Sequence, residues 1–455
     1  MNYRAYNLRN FKKIAQLKHI DKDVLFHMEV VGNVLPFKTN NYVVDELIDW
    51  NNYLDDPLFI LNFPQKEMLQ DEHYERMANA MISGMEREEL KSIANDIRTE
   101  LNPHPAGQLE HNIPEVHGRK LSGVQHKYRE TMLLFPAKGQ TCHAYCTFCF
   151  RWPQFTGMKD LKIAMKQSKD AVEYIKQHHE ITDVLITGGD PMIMSAKNLG
   201  IYLNEILEAK IPHLRNIRIG TKSLSFWPYR FVTDEDADEV LDLFKKVVDA
   251  GYHLAVMAHF SHPAELSTTI VQDAIEKILA TGAQIRTQSP VLNHINANPG
   301  IWSDMWKKQV SLGLIPYYMF IARDTGAKDY FAVPLVKAWK IFREAYSKVS
   351  GICRTVRGPS MSANPGKIQV LGVNEFNGEK VFVLNFLQGR NPNWVGRPFF
   401  ARYDEEVTWL DELKPVFGKK EFFYSQEFRH ILRHERENKD SINMNLQRKI
   451  QIYPS

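Results

Sequence analysis

Residues 141–152 read Thr-Cys-His-Ala-Tyr-Cys-Thr-Phe-Cys-Phe-Arg-Trp, and the reading of this stretch decides the fold class. Three of the chain's four cysteines, Cys142, Cys146 and Cys149, lie in it, with three and then two residues between them, while Cys353 stands far downstream. A structural zinc site wants four ligands, usually as two separated Cys-x-x-Cys pairs. A disulfide scaffold wants an even number of cysteines in a short secreted chain. Three thiolates on one tight loop suit a [4Fe–4S] cluster with one iron left open, because such clusters are held by cysteine thiolates. A zinc site completed by a histidine such as His143 is the competing reading.

The pattern Cys-x-x-x-Cys-x-aromatic-Cys, with Phe148 as the aromatic, resembles the signature of radical S-adenosylmethionine (SAM) enzymes, in which the amino and carboxylate groups of SAM chelate the open iron. A second motif follows one strand later. Gly188-Gly189-Asp190-Pro191 comes directly after the apolar run Val184–Thr187. Two glycines let backbone approach a ligand closely, and an acid there can accept hydrogen bonds from an ammonium group. A Gly-Gly turn after a strand is common, but behind a cluster loop it resembles the Gly-Gly-acid motif that holds the methionyl amine of SAM.

The rest of the composition narrows the class. At 455 residues the chain is long enough for two or three domains, or for one large barrel with additions. A net charge of +3, with 24% charged and 44% hydrophobic residues, fits a globular enzyme and argues against nucleic-acid wrapping or a membrane surface. Four cysteines make no disulfide framework, so a reducing, cytoplasmic compartment is expected. No apolar run approaches the roughly 18 residues of a membrane span. Near the start, Leu8, Phe11, Ile14 and Leu17 recur at helical spacing and read as a docking helix. Lys and Arg without acids there also fit a transit peptide, but serine is absent.

Four regions are expected along the chain: a helical region over 1–120, a partial (β/α) barrel over 121–350, a β-rich segment over 351–415 and a charged tail over 416–455. In the first, Val44–Tyr53, Met68–Met85 and Glu88–Leu101 have helical periodicity, and the Pro-, His- and Gly-rich stretch Asn102–Gly118 reads as a linker. From Thr131 onward six strand-then-helix units follow one another, which implies a parallel sheet with helices outside. One of the helices, Asp234–Ala250, has Thr233 as its expected N-cap. Six units rather than eight suggest an α/β fold built as an incomplete (β/α)6 barrel, with ligands at the carboxyl ends of the strands. Extended runs at Lys367–Val373 and Lys380–Phe386 supply the β-rich segment, and Gln426–Ser455 reads as a partly exposed helix and tail.

Two further groups carry chemistry. His259 and His262, in Ala-His-Phe-Ser-His-Pro, read as hydrogen-bonding groups at a strand end rather than a metal pair. Lys367 follows the turn Asn364-Pro365-Gly366. The plain reading is a surface lysine beside a hairpin; a lysine there can also form a Schiff base with an aldehyde cofactor, usually pyridoxal 5′-phosphate (PLP).

From about residue 45 to residue 390 the chain resembles the lysine 2,3-aminomutase family of radical SAM, PLP-dependent enzymes. The segments that carry the resemblance are FPQKEML, CHAYCTFCFR, LITGGDP, IRIGTKS, AHFSHP, TQSPVL, LIPYYMF and PGK. The resemblance implies a partial barrel and an aminomutase activity. A 5′-deoxyadenosyl radical from SAM takes a hydrogen from an amino acid held on PLP, the amino group moves from C2 to C3, and the hydrogen is returned. It implies that Cys142, Cys146 and Cys149 hold the cluster and that Lys367 holds PLP. Phe148 would lie against the adenine, Gly188, Gly189 and Asp190 around the methionyl amine, and His259 and Gln288 near the ribose and carboxylate. Lys127 and Tyr128 match a stretch that helps hold the cofactor phosphate, although that stretch's second basic residue is Thr131 here. Arg151 matches the arginine that pairs with the substrate carboxylate, a task suited to a planar guanidinium. The family also implies an electron donor such as flavodoxin or ferredoxin and a homo-oligomer; neither a nucleic-acid nor a membrane partner is expected.

Two departures bear on the substrate. Lysine-acting members grip the distant ammonium with two aspartates, and the corresponding positions here are Arg323 and Ser360. An ammonium facing an arginine in low dielectric would cost on the order of several kcal/mol. An acidic amino acid, glutamate or aspartate, is therefore the expected substrate. Lysine, or a modified amino acid or protein lysine, is the alternative, and Asp324 next door is the residue that could reverse the charge argument. The glycine run before the PLP lysine is also thinned here to Ser-Ala-Asn-Pro-Gly, and no cysteines follow Cys353 to hold the interface zinc that some members carry.

Overall fold

A computed structural model describes residues 1–102, 112–116, 118–157, 164–165, 168–376 and 378–434. Its centre is one sheet of eleven strands whose order in space is their order in the chain. They are β1 (Val124–Tyr128), β2 (Thr131–Leu134), β3 (Asp183–Ile186), β4 (Asn216–Thr221), β5 (His253–His259), β6 (Gln284–Val291), β7 (Ile315–Ile321), β8 (Arg357–Ser362), β9 (Gly366–Phe376), β10 (Glu379–Gly389) and β11 (Pro398–Arg402). Strands β2 to β8 pair in parallel. β1 at one edge and β9 to β11 at the other are antiparallel. The fold is α/β with a single large sheet.

Each parallel step needs a crossover. Among the described residues those crossovers carry Lys169–Gln177, Ala196–Ala209, Ala237–Asp249, Thr269–Ala280, Pro299–Ser311 and Leu335–Ser347 as α-helices. The sequence of the strands explains which face meets them. In β4, Ile217 and Ile219 are fully buried while Asn216 and Arg218 between them are only half-buried. β6 repeats the alternation, with Ile285 and Thr287 buried and Gln284, Arg286 and Gln288 less so. Period-two alternation sends the first set to the helices and the second to the opposite face. Polar residues on that second face of a parallel sheet are unusual, since such strands are ordinarily apolar on both faces. They mark where the chemistry lies.

Parallel strands put all their carboxyl ends on one edge. The cysteine loop leaves β2, Gly188–Asp190 leaves β3, Lys222 leaves β4, His259 closes β5 and Arg323 follows β7. Lys367 joins them because β9 runs back, and its register places Lys367 opposite Ser362 at the end of β8.

The expected boundaries need correction in several places. The predicted break at 351 falls inside the sheet, since β8 pairs with β7 and β9 with β8; backbone hydrogen bonds make 351–415 an extension of the sheet, not a separate piece. Val44–Tyr53 is not a regular helix but a π turn at Val43–Leu47 and a 3-10 turn at Trp50–Asn52. Asp49 takes the Asn51 N–H at 3.1 Å, and such local side-chain bonds compete with helix. Thr233 does not cap the helix after β4, which starts at Ala237. Asp236 there faces the Arg230 guanidinium at 2.6 Å instead. Most of the linker expected over 102–118, and residues 435–455 of the expected tail, lie outside the described residues; a helix over 425–434 begins that tail. Among the described residues no helix is long and apolar enough to cross a membrane.

The start of the chain docks, but through two 3-10 turns, Phe11–Lys13 and Gln16–His19, rather than a helix. Phe11, Ile14 and Leu17 are nonetheless buried, and Phe11 meets Phe37 edge-on at 5.8 Å. A short ribbon of Ala5–Asn7 with Lys38–Asn40 then leads to the cysteine loop. Phe11→Ala should cost about 3–5 kcal/mol, the usual loss for a buried aromatic. Chemical denaturation reads this directly, and an unchanged midpoint would mean that the first twenty residues are not part of the folded core.

Candidate active site

The cysteine loop is fixed from two sides. From the amino-terminal ribbon, the Lys38 carbonyl accepts the Tyr145 N–H at 2.7 Å and the Lys38 ammonium donates to the Cys142 carbonyl at 2.6 Å. From the sheet, Asp190 N–H donates to the carbonyls of Gly139 and Thr141 at 3.1 and 2.8 Å. The Gly188-Gly189 turn lies directly against this loop. A Cβ on Gly189 would sit 2.6–2.7 Å from the Thr141 backbone, and one on Gly188 2.5 Å from the Gln140 amide. Gly188 also has φ +155°, where side chains are strained. The two motifs read from the sequence are thus halves of one packed unit.

Cys142, Cys146 and Cys149 are half-buried free thiols. Desolvation pushes all three pKa values up, and for Cys142 the neighbouring Asp190, Cys149 and Cys146 add to it. Three thiolates so close together need compensating positive charge, which iron bound to sulfur supplies. Among the described residues no three His, Cys, Asp or Glu side chains converge tightly enough for a single ion. His143, the proposed zinc partner, instead stacks on Trp227 at 6.3 Å and hydrogen-bonds Ser223 at 2.9 Å. The donor set fits a multi-iron cluster better than a zinc ion.

Beside the loop, Phe148 stacks on His259 with centroids 5.5 Å apart, and Gln288 lies opposite His259 in the β5–β6 register. Desolvation, then Lys222, pushes the His259 pKa well down, so its ring is neutral. Lys222 donates to the His259 carbonyl at 3.3 Å and pairs at 2.6 Å with Glu265, which is fully buried. His262 caps the next turn, where its Nδ1 accepts the Ala264 N–H at 3.3 Å. The two histidines are therefore hydrogen-bonding groups. Phe148, His259 and Gln288 come together as one wall.

Asp190 behaves differently from its expected role at a ligand amine. Its carboxylate accepts from Thr221 Oγ1 at 2.7 Å, Ser223 Oγ at 3.1 Å, and the N–H groups of Lys222 and Met192 at 2.9 Å each. It ties the β3 turn to the end of β4. The ligand edge of this turn is left to the glycine backbone.

The third cluster of groups surrounds Lys367. Its ammonium lies 4.1 Å above the Tyr318 ring and 5.5 Å from that of Phe320. Desolvation and the cations Arg218 and Arg357 push its pKa down to about 7. Lys127 is pushed down as well, by desolvation first and then by Arg390, Arg323 and Lys367. It donates to the Ala363 carbonyl at 2.5 Å and sits 5.3 Å above the Tyr128 ring. Lys367 is thus no surface lysine beside a hairpin: it lines a cavity of about 720 Å³ together with Tyr128.

Arg151 and Arg323 are brought to the same place. Each guanidinium lies 5.4 Å from the Phe150 ring. Desolvation, with Arg323 as a smaller cause, pushes the Arg151 pKa down to about 10, and desolvation lowers that of Arg323 against the pull of Asp324. Arg323 donates to the Ser362 carbonyl at 3.0 Å, while its Nε is buried without a hydrogen bond, 3.9 Å from Asp324. Ser360 is fully buried opposite Phe320 and shares the Lys367 face of the sheet, but its hydroxyl bonds back to the Met319 carbonyl at 3.4 Å.

This arrangement has named relatives. A putative L-lysine 2,3-aminomutase of Aquifex aeolicus is 29% identical over 407 residues, covering 89% of this chain and 95% of that one. The L-lysine 2,3-aminomutases of Clostridium subterminale and Bacillus subtilis are 27% and 28% identical, over 62% and 61% of this chain and 64% and 56% of their own. The chain is similar to the lysine 2,3-aminomutases across several species. Members of that family are radical SAM isomerases that use a [4Fe–4S] cluster, SAM and PLP. No family profile matches the chain. Among solved structures, Streptococcus suis SuiB bound to S-adenosylmethionine aligns with a TM-score of 0.34 at 10% identity, over 60% of this chain and 56% of that one, too loosely to bear on fold or function.

Sequence reading missed the charged floor of the Lys367 cavity: Asp183, Arg218, Arg286 and Arg357. The available signal was a guanidinium at an alternate position of a buried strand, as in Ile-Arg-Ile at 217–219, where an unpaired charge is costly.

Two outcomes follow from this geometry. Gly189→Ala should force the cysteine loop off the β3 turn, and iron and sulfide bound per chain should fall by more than half; full occupancy would show that the close approach is dispensable. For Lys367, only the neutral amine adds to an aldehyde. With its pKa lowered to about 7, the rate of imine formation with free pyridoxal should rise as the pH passes about 7 and then level. An ordinary exposed lysine would still be climbing toward about pH 10. A midpoint there would show that Lys367 is solvated.

Proposed function

We propose that this chain is an amino acid 2,3-aminomutase working at the carboxyl ends of β2 to β8, with the sheet curled into the incomplete (β/α)6 barrel expected from the sequence. One observation carries the reading: a lysine whose pKa is lowered to about 7, on the same edge of the sheet as a three-cysteine loop. When bound, the cluster with SAM supplies a 5′-deoxyadenosyl radical, and PLP supplies the aldehyde that carries the substrate amine.

The chain's own residues do the rest. Lys367, with its pKa lowered to about 7, has a large neutral fraction near pH 7 and would be the amine that holds the PLP aldehyde. Cys142, Cys146 and Cys149 would hold the cluster, and Gly188 and Gly189 let the adjoining backbone meet SAM. Phe148 and His259 form the wall for its adenosine, and the neutral His259 and Gln288 offer hydrogen bonds there. Lys127 and Tyr128 flank the cofactor. Arg151, held over the Phe135 and Phe150 rings, would take the substrate carboxylate. The one-electron reductant would be a flavodoxin or ferredoxin, and the homo-oligomer and cytoplasmic setting expected from the sequence belong to the same proposal.

For the substrate, the relatives favour lysine: those named above are lysine 2,3-aminomutases, and they lend no support to the acidic amino acid expected from the sequence. Asp324 and Asp411, both acting on Arg323, give a substrate ammonium acids to approach. A second reading, glutamate or aspartate, keeps one observation in its favour. Arg323 stands where lysine-acting members carry an acid, beside Arg151 and Lys127, with a buried Nε that lacks a hydrogen bond. An anaerobic turnover screen of reconstituted protein with each common amino acid, read by chromatography and mass spectrometry for the β-isomer, decides between them. β-Lysine is the expected product. Conversion of glutamate or aspartate alone would overturn lysine, and Arg323→Gln should then raise KM for that acid about tenfold or more, the effect of losing a charge-assisted hydrogen bond.

A further inference from the structure

The cavity under Lys367 carries more positive charge than the reaction outlined above uses. Five basic side chains and two carboxylates line it. One carboxylate, Asp183, is already committed: Arg218 pairs with it through two nitrogens, Nε at 2.8 Å, and Thr131 Oγ1 donates to it at 2.9 Å. Across the cavity, Arg286 has one side-chain hydrogen bond, to Gln284 at 2.9 Å, and lies 5.2 Å from the Tyr317 ring. Arg357 lies 4.2 and 4.4 Å from the rings of Tyr317 and Tyr318. Neither arginine has a carboxylate within ion-pair distance among the described residues. Both are half-buried, held over aromatic rings, on the cavity that Lys367 also lines.

Two guanidiniums without an ion-pair partner, beside a third and an amine, repel one another, and an anion of high charge among them relieves that repulsion. A phosphate matches best, because a planar guanidinium fork meets its oxygens in pairs. Thr131, where the family stretch has its second basic residue, lines this same cavity and gives its hydroxyl to Asp183. We propose that Arg286 and Arg357, with Arg218 beside them, form the phosphate grip for the PLP carried by Lys367, taking over the charge absent at Thr131. The inference rests on the reading that Lys367 binds PLP.

The test separates phosphate from ring. The full chain, freed of PLP, is titrated with PLP and with pyridoxal, which lacks the phosphate, and imine absorbance is followed for the parent, Arg286→Gln, Arg357→Gln and the double variant. Each single change should weaken PLP about tenfold and the double about a hundredfold, as for losing charge-assisted hydrogen bonds, while pyridoxal binds nearly as to the parent. Inorganic phosphate should compete with PLP in the parent and lose that effect in the double variant. Retained pyridoxal imine shows that the variants fold, and Arg357→Lys, which keeps charge without the fork, should fall between parent and Gln. PLP affinity unchanged in the double variant, or PLP and pyridoxal falling together, would overturn the grip. A parent that forms the imine with both compounds at equal affinity would overturn the grip alone. A parent that forms it with neither would overturn the PLP reading and the grip with it.

Discussion

The site depends on a contact that leaves no room for a side chain. The backbone of Thr141 passes so close to Gly189 that even a methyl group there would overlap it. That approach fixes the cysteine loop to the carboxyl end of β3, and Asp190 then ties the same turn to the end of β4 through three donors, the Thr221 and Ser223 hydroxyls and the Lys222 N–H. Rigid parallel strands behind the turn and the amino-terminal ribbon in front hold the loop between them. A cluster placed by this loop inherits its position from the sheet, which is what precise placement of a reactive group requires.

Below that edge the governing term is charge in a desolvated space. Lys127, Lys367, Arg151 and Arg323 all have lowered pKa values, with burial the first cause, and for Lys127, Lys367 and Arg151 neighbouring cations a further one. Like charges gathered in a desolvated space favour ligands that complete the balance, since an unpaired buried charge is strongly destabilising. Several ligands of this family are anionic or carry anionic groups: the substrate carboxylate, the methionyl carboxylate and the cofactor phosphate. The same crowding lowers the Lys367 pKa to about 7, so the site's attraction for anions and the nucleophilicity of Lys367 have one origin.

Much of this was legible in the residues. The spacing of Cys142, Cys146 and Cys149 and the Gly-Gly-Asp turn pointed to a cluster loop, because metal ligands and close backbone approaches restrict residue type at fixed spacing. The strand–helix alternation from Thr131 to Tyr346 was readable because apolar period is a local property. The irregular turns at Val43–Asn52 and the docked start of the chain were not, since local side-chain capping at Asp49 and tertiary burial of Phe11, Ile14 and Leu17 overrode helical periodicity.

By itself, then, the sequence determined which residues are of a type to hold iron, since that is a matter of residue type and short spacing, while the expected roles of Lys367 and Arg151 came from the family resemblance. Only the tertiary structure decided what faces what. It turned Asp190 inward, set Arg323 beside Arg151 and Lys127, and collected Arg218, Arg286 and Arg357 from three separate strands around Lys367. Those three arginines are far apart in the chain and each sits in an ordinary strand. Register and sheet order bring them to one cavity, and neither is a property of any single segment.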